Sequence, residues 1–121
     1  MKINHGILRW LPAVAVMAVI YAFSSIPSKD MPVFGFWDTI VKKGGHMLGY
    51  GLLAIAYWYG LRFEKQRWWL ALLLALIYAI TDEFHQSFVP GRNPSWVDAI
   101  IFDGSGAALA LFGSWLVNKK K

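Results

Sequence analysis

Four long apolar runs occupy most of this 121-residue chain, and they restrict its fold more than any other feature. Hydrophobic residues make up 57% of the sequence and charged residues 16%, against roughly 45–50% and about 25% in soluble domains. A chain of this length forms one domain at most. We therefore predict an all-α, four-span transmembrane helical bundle, a single domain over residues 1–121, with spans at about 7–24, 40–61, 68–89 and 95–117.

The third apolar run is too short to cross a membrane alone. Only thirteen residues, Trp68 to Ile80, are continuously apolar, and a hydrocarbon core of roughly 30 Å needs about 20. The span must therefore continue through TDEFHQSFV, which carries Asp82, Glu83 and His85. Ionisable residues inside a span are functional candidates by default, because burying them is costly.

The basic residues predict the orientation of the bundle. With four spans both termini share one side, which holds eight of the twelve lysines and arginines, against four on the other side. The positive-inside rule then places both termini in the cytoplasm. Tryptophan belts fit this orientation, with Trp37 and Trp96 near the outer face and five others near the inner face: Trp10, Trp58, Trp68, Trp69 and Trp115.

Other features narrow the class of protein and of site. The chain has no cysteine, which excludes disulfides, thiolate zinc ligands and cysteine nucleophiles. Its basic residues lie between apolar runs rather than in one patch, so we expect no nucleic-acid partner. The expected surroundings are the lipid bilayer, and the oligomeric state is not indicated. Small residues predict close helix packing at Gly45 and Gly49 in span two and at Gly106, Ala110 and Ser114 in span four.

Polar residues collect at the outer half of the predicted bundle. Lys43, His46 and Tyr50 form one helical stripe in span two. Asp82, Glu83, His85 and Gln86 lie in span three, and Arg92, Asp98 and Asp103 follow in the turn and in span four. We predict acid, base or catalytic roles for Glu83, His46 and Asp82. The predicted substrate-binding residues are Lys43, Tyr50, Gln86, Arg92 and Asp98, with His85 and Asp103 as further site residues.

Structural explanations of the same residues remain open. Lys43 and Arg92 could merely neutralise Asp82 and Glu83, and Asp98 could complete a capping box with Ser95. Asp38 is a candidate N-cap for span two. Asp103 could be protonated, or paired with His46, His85 or Tyr50. The carboxylates and imidazoles could hold a divalent cation, but their spacing matches no zinc motif, so the sequence identifies no cofactor.

The sequence resembles the VanZ-like family of small bacterial membrane proteins, named after an accessory protein of glycopeptide (teicoplanin) resistance. The resemblance rests on FSSIPS after the first span, on Lys43 with His46 and Tyr50, on TDEFHQSFVPGR, and on Ser95 with Asp98. This chain has Asp103 where the family pattern has Asn. The resemblance implies a protein of the bacterial inner membrane and cell envelope. The family has no settled biochemical activity, and membership in it does not imply teicoplanin resistance.

Three functions are compatible with these residues, and the sequence does not decide whether the protein is an enzyme. The first is an outward-facing site in which Lys43 and Arg92 hold an anionic envelope lipid or its lipid-linked headgroup. The second is a non-catalytic envelope or partner-binding protein, in an accessory role, whose polar network only fixes the bundle. Proton-coupled transport is a third, disfavoured because the inner half lacks matching ionisable residues.

Overall fold

The computed structural model describes residues 5–26, 35–90, 97 and 99–119, and this part of the chain contains helices and turns but no strand. Its four long helices are α1 (Leu11–Ser24), α2 (Asp38–Gly60), α3 (Trp68–Gln86) and α4 (Gly104–Lys119). Short helical segments precede them at His5–Leu8, Gly35–Trp37, Lys65–Arg67 and Ala99–Asp103, the last a π turn. The predicted all-α helical bundle is confirmed.

Three helical stretches of the described chain are long and apolar enough to cross a membrane: Gly6–Ser24, Lys65–Gln86 and Ile100–Val117. The remaining helix, α2, has 23 residues and is long enough as well. Its glycines and its polar residues make it less apolar than the other three. The reason is its position, because α2 packs against α1, α3 and α4 and so contacts protein on several sides. A fourth span at α2 stays a prediction.

The first helical stretch is interrupted near its beginning. The turn His5–Leu8 is followed by Arg9 and Trp10 before α1 begins at Leu11, with a proline in its first turn. Pro12 has no N–H, and its ring would clash with the carbonyl of Leu8 four residues earlier in a continuous helix. The interruption is therefore a local consequence of proline.

The core of the described bundle centres on α2. Tyr50, Leu53 and Trp58 are its largest fully buried side chains, and the Trp58 Nε1 donates a hydrogen bond to the Glu64 carbonyl at 2.9 Å. Trp58 lies beside the turn at the predicted inner end of α2, but its ring is buried in the bundle rather than exposed as in an interfacial belt, so its level in the membrane stays a prediction. Trp68 and Trp69 are exposed, as lipid-facing or interfacial rings are.

Helices α2 and α4 approach most closely at glycines. A Cβ on Gly106 would overlap the backbone of Met47, and a Cβ on Gly51 would lie 3.1 Å from both the Gly106 oxygen and the Ala110 Cβ. Gly45, in contrast, has open space around its Cα. The predicted packing role of Gly106 is therefore confirmed, whereas in α2 Gly51 takes the role that was predicted for Gly45.

The turn between α2 and α3 closes as a Schellman motif. The N–H of Phe63 donates to the Trp58 carbonyl at 2.8 Å, and the N–H of Arg62 donates to the Tyr59 carbonyl at 3.0 Å. This pattern requires a left-handed residue after the helix, usually glycine. Here Arg62 adopts it with φ 64°. The motif ends α2 sharply and lets α3 run back along it.

The start of α2 also differs from the sequence expectation. Trp37 is the N-cap, no side-chain cap hydrogen bond is present there, and Asp38 is the first helical residue. The prediction of an Asp38 N-cap is therefore wrong, because the preceding turn Gly35–Trp37 leads directly into the helix. The alternative capping role of Asp98 falls outside the described residues.

Candidate functional site

One face of α3 changes from apolar to polar along its length. Ala71, Ala75 and Ala79 are buried at intervals of four residues, and the same helix then buries Asp82, Glu83 and Gln86. Small alanines allow neighbouring helices to approach closely. The polar residues continue this packed face, so α3 carries them into the bundle rather than into lipid.

Asp82 is the centre of a buried hydrogen-bond network. It is 4% exposed, and its Oδ2 accepts a hydrogen bond from the Tyr50 hydroxyl at 2.9 Å and one from Gln86 Nε2 at 3.3 Å. The amide of Gln86 also donates to the Ser24 Oγ at 3.3 Å. The network therefore connects the end of α1, the middle of α2 and the end of α3. Such partners offset the cost of burying a carboxyl group.

A second contact connects α2 to the beginning of α4. The Nδ1 of His46 lies 3.6 Å from the Oδ1 of Asp103, with the carboxyl buried and the imidazole about one third exposed (34%). His46 and Asp103 are thus brought together, one of the three pairings that the sequence allowed. Asp103 ends the π turn Ala99–Asp103. Such turns insert one extra residue and occur often at functional sites.

Lys43 lies one helical turn before His46, at the same end of the bundle. Its Nζ is 4.3 Å from the centre of the Phe102 ring, a cation–π geometry. The side chain is half-buried. Lys43, His46 and Tyr50 therefore all face the junction of α2 with α3 and α4, as their spacing predicted.

We call seven described residues the polar cluster: Lys43, His46, Tyr50, Asp82, Glu83, Gln86 and Asp103. Glu83 is 6% exposed and buried beside Asp82. Arg92 and Asp98, two predicted binding residues, lie outside the described residues. Within the described part, no three His, Asp or Glu side chains converge as a metal-binding group would. The buried polar side chains described all lie at this end of the bundle.

Two serines at the end of α1 belong to this region, although neither was a predicted site residue. Ser24 is buried and accepts the hydrogen bond from Gln86. Ser25 Oγ lies 2.9 Å from His85 Nε2, and the His85 ring stacks on Tyr21 at 4.4 Å. The only signal in the sequence was that, with alternating span directions, FSSIPS at the end of span one lies on the same side of the membrane as the end of span three.

The described chain is therefore a helical, membrane-spanning type of protein with a buried network of ionisable groups at one end. The profile of the family described as VanZ/LLP1 matches residues 6–118, and the chain belongs to this family. This confirms the resemblance to VanZ-like membrane proteins. Neither the curated proteins nor the solved structures give a match.

Proposed function

We propose that the polar cluster binds the anionic headgroup of an envelope lipid, and that it faces the outside of the bacterial inner membrane. The observation that carries this proposal is the position of Lys43 and His46, two half-buried basic side chains one helical turn apart at the start of α2, beside Phe102 and Asp103. The half-buried ammonium of Lys43, which lies on the Phe102 ring at this end of the bundle, is the group that we propose contacts the phosphate.

The helix directions favour the same ligand. Both α2 and α4 begin at this end, and helix N-termini carry partial positive charge. We propose that Arg92, which follows α3 in the sequence, adds a second cation. His46 or Glu83 would then supply an acid or base if the bound headgroup reacts.

The binding experiment compares lipids of different headgroup in the same detergent micelle. The purified protein is titrated with a fluorescent polyprenyl phosphate, with phosphatidylglycerol and with phosphatidylcholine. We expect saturable binding of the two anionic lipids and none of the zwitterionic one. Lys43→Ala should weaken anionic binding about tenfold, the equivalent of one charge-assisted contact of about 1.4 kcal/mol.

Lys65→Ala is the matched control for that variant. Lys65 is exposed and lies in the turn before α3, at the other end of the bundle. Its loss should leave the dissociation constant unchanged. Equal weakening by both lysine substitutions, or equal binding of phosphatidylcholine, would refute the proposed site.

A second candidate is a non-catalytic envelope or partner-binding protein in which the network only fixes the bundle. The hydrogen bonds of Asp82 and Gln86 favour it, because they connect three helices without any ligand. Every buried polar side-chain atom of the described residues has a hydrogen-bond partner. Under this candidate the lipid titration shows no preference for anionic headgroups. Proton-coupled transport is not favoured, because the buried ionisable side chains of the described residues, Asp82, Glu83 and Asp103, all lie at one end of the bundle.

A further inference from the structure

Ser25 and His85 form a pair at the same end of the bundle but outside the polar cluster. Their contact, Ser25 Oγ to His85 Nε2 at 2.9 Å, joins residues sixty positions apart in the sequence. A serine hydroxyl within hydrogen-bond reach of an imidazole nitrogen is the arrangement that activates serine nucleophiles. Neither side chain takes part in the headgroup binding proposed above.

The Ser25 hydroxyl has one proton and two possible acceptors. The Tyr21 carbonyl lies 2.8 Å from Oγ, and the His85 nitrogen lies 2.9 Å from it. Rotation of the hydroxyl alone moves the proton from the carbonyl to an unprotonated Nε2, and this second arrangement is the reactive one. Stacking on Tyr21, with the rings 20° from parallel, holds the imidazole in place.

Ser25 and His85 are more accessible than the neighbouring Ser24. Ser25 and His85 are both half-buried, whereas Ser24 is 3% exposed and engaged with Gln86. Ser25 follows the last residue of α1, where an apolar helix ends. The end of a membrane-crossing helix lies in the interfacial region of the bilayer, which is where the ester groups of lipids lie.

We propose that Ser25 is the nucleophile and His85 the general base for cleavage of a carboxylic ester of a membrane lipid. The Ser25 Oγ forms a bond to the ester carbonyl carbon while its proton passes to His85 Nε2. The bond from that carbon to the alcohol oxygen then breaks, and the alcohol leaves with the proton. Water attacks the acyl-serine in the same way, releases the carboxylic acid and restores Ser25.

The first experiment treats the full chain in detergent micelles with a fluorophosphonate probe, which reacts with activated serines. We expect labelling at Ser25, located by peptide mass spectrometry and abolished in Ser25→Ala. His85→Gln should slow labelling about 100-fold, the usual contribution of a general base. Ser87→Ala is the control, because the Ser87 hydroxyl is exposed, donates to the Phe84 carbonyl and should contribute no labelling. An unlabelled Ser25, or labelling unaffected by His85→Gln, overturns the proposal.

A second experiment tests the pair without substituting His85, so its result does not depend on the folding of the His85→Gln variant. Since the chain has no cysteine, Ser25→Cys and Ser87→Cys each place a single thiol in an otherwise intact protein. Iodoacetamide should alkylate position 25 about tenfold faster than the more exposed position 87, because a neighbouring imidazole favours the thiolate. An equal or slower rate at position 25 overturns the proposal. The probe labelling and the alkylation rates do not depend on the lipid titration. The headgroup-binding proposal and the ester-cleavage proposal can therefore fail separately.

Discussion

At the scale of single residues, removing the Tyr50 hydroxyl tests the buried hydrogen-bond network. Tyr50 is 1% exposed, and its only hydroxyl partner among the described residues is Asp82, at 2.9 Å. Tyr50→Phe keeps the ring and removes the donor, so Asp82 loses one of its two described partners. We expect the free energy of unfolding to fall by about 1–3 kcal/mol, the cost of under-satisfying a buried polar group. Thermal unfolding in detergent measures this change.

Tyr21→Phe is the matched control for Tyr50→Phe. Tyr21 is exposed, and its ring stacks on His85, a contact that phenylalanine preserves. The control should change stability by less than about 0.5 kcal/mol, as for ordinary surface substitutions. A loss for Tyr50→Phe no larger than that of the control, below about 0.5 kcal/mol, would show that the Tyr50 hydroxyl contributes little to the network.

At the scale of elements, the crossing of α2 and α4 depends on Gly106. A methyl group there would overlap the Met47 backbone, which cannot move as a side chain could. We expect Gly106→Ala to destabilise the bundle by about 1–3 kcal/mol or more through overpacking. Gly45→Ala is the control, because its Cα faces open space and alanine favours helix. It should leave the unfolding temperature unchanged or raise it; the opposite order would contradict this crossing.

The turn after α2 permits a stabilising substitution. Arg62 holds a left-handed conformation, with φ 64°, that a Cβ makes unfavourable. Arg62→Gly removes this strain while its extra freedom in the unfolded chain offsets part of the gain, so we expect about 0.5–1 kcal/mol of added stability. Arg62→Ala removes the same charge but keeps the Cβ and should give no gain. Unfolding temperatures of the two variants, compared with wild type, decide the point.

At the scale of the whole molecule, the open prediction is the orientation in the membrane. The eight-to-four bias of basic residues predicts cytoplasmic termini, with position 92 outside. Arg92→Cys should react with a membrane-impermeant thiol reagent in intact cells, whereas Gln66→Cys, between α2 and α3, should react only after lysis. The native chain contributes no background thiol. Labelling with the reverse pattern would invert the topology and place the polar cluster on the cytoplasmic side.

The positions of the helices and of the polar residues along them could be predicted from the sequence alone. Each long helix coincides with an apolar run, because a membrane-spanning segment satisfies its backbone polar groups through the hydrogen bonds of a helix. The position of Asp82, Glu83 and Gln86 was also readable, since the third run is too short to cross without them. The stripe of Lys43, His46 and Tyr50 follows from helical spacing alone.

What only the tertiary structure decided is which faces meet. The contact of Gly51 with α4, the burial of Trp58 and the pair of Ser25 with His85 each join residues of different helices or turns. No local pattern determines these pairings, because lipid and protein surroundings are equally apolar and the hydrophobic effect does not distinguish helix faces in a membrane. Close packing and buried hydrogen bonds make that choice, and both depend on residues far apart in the chain.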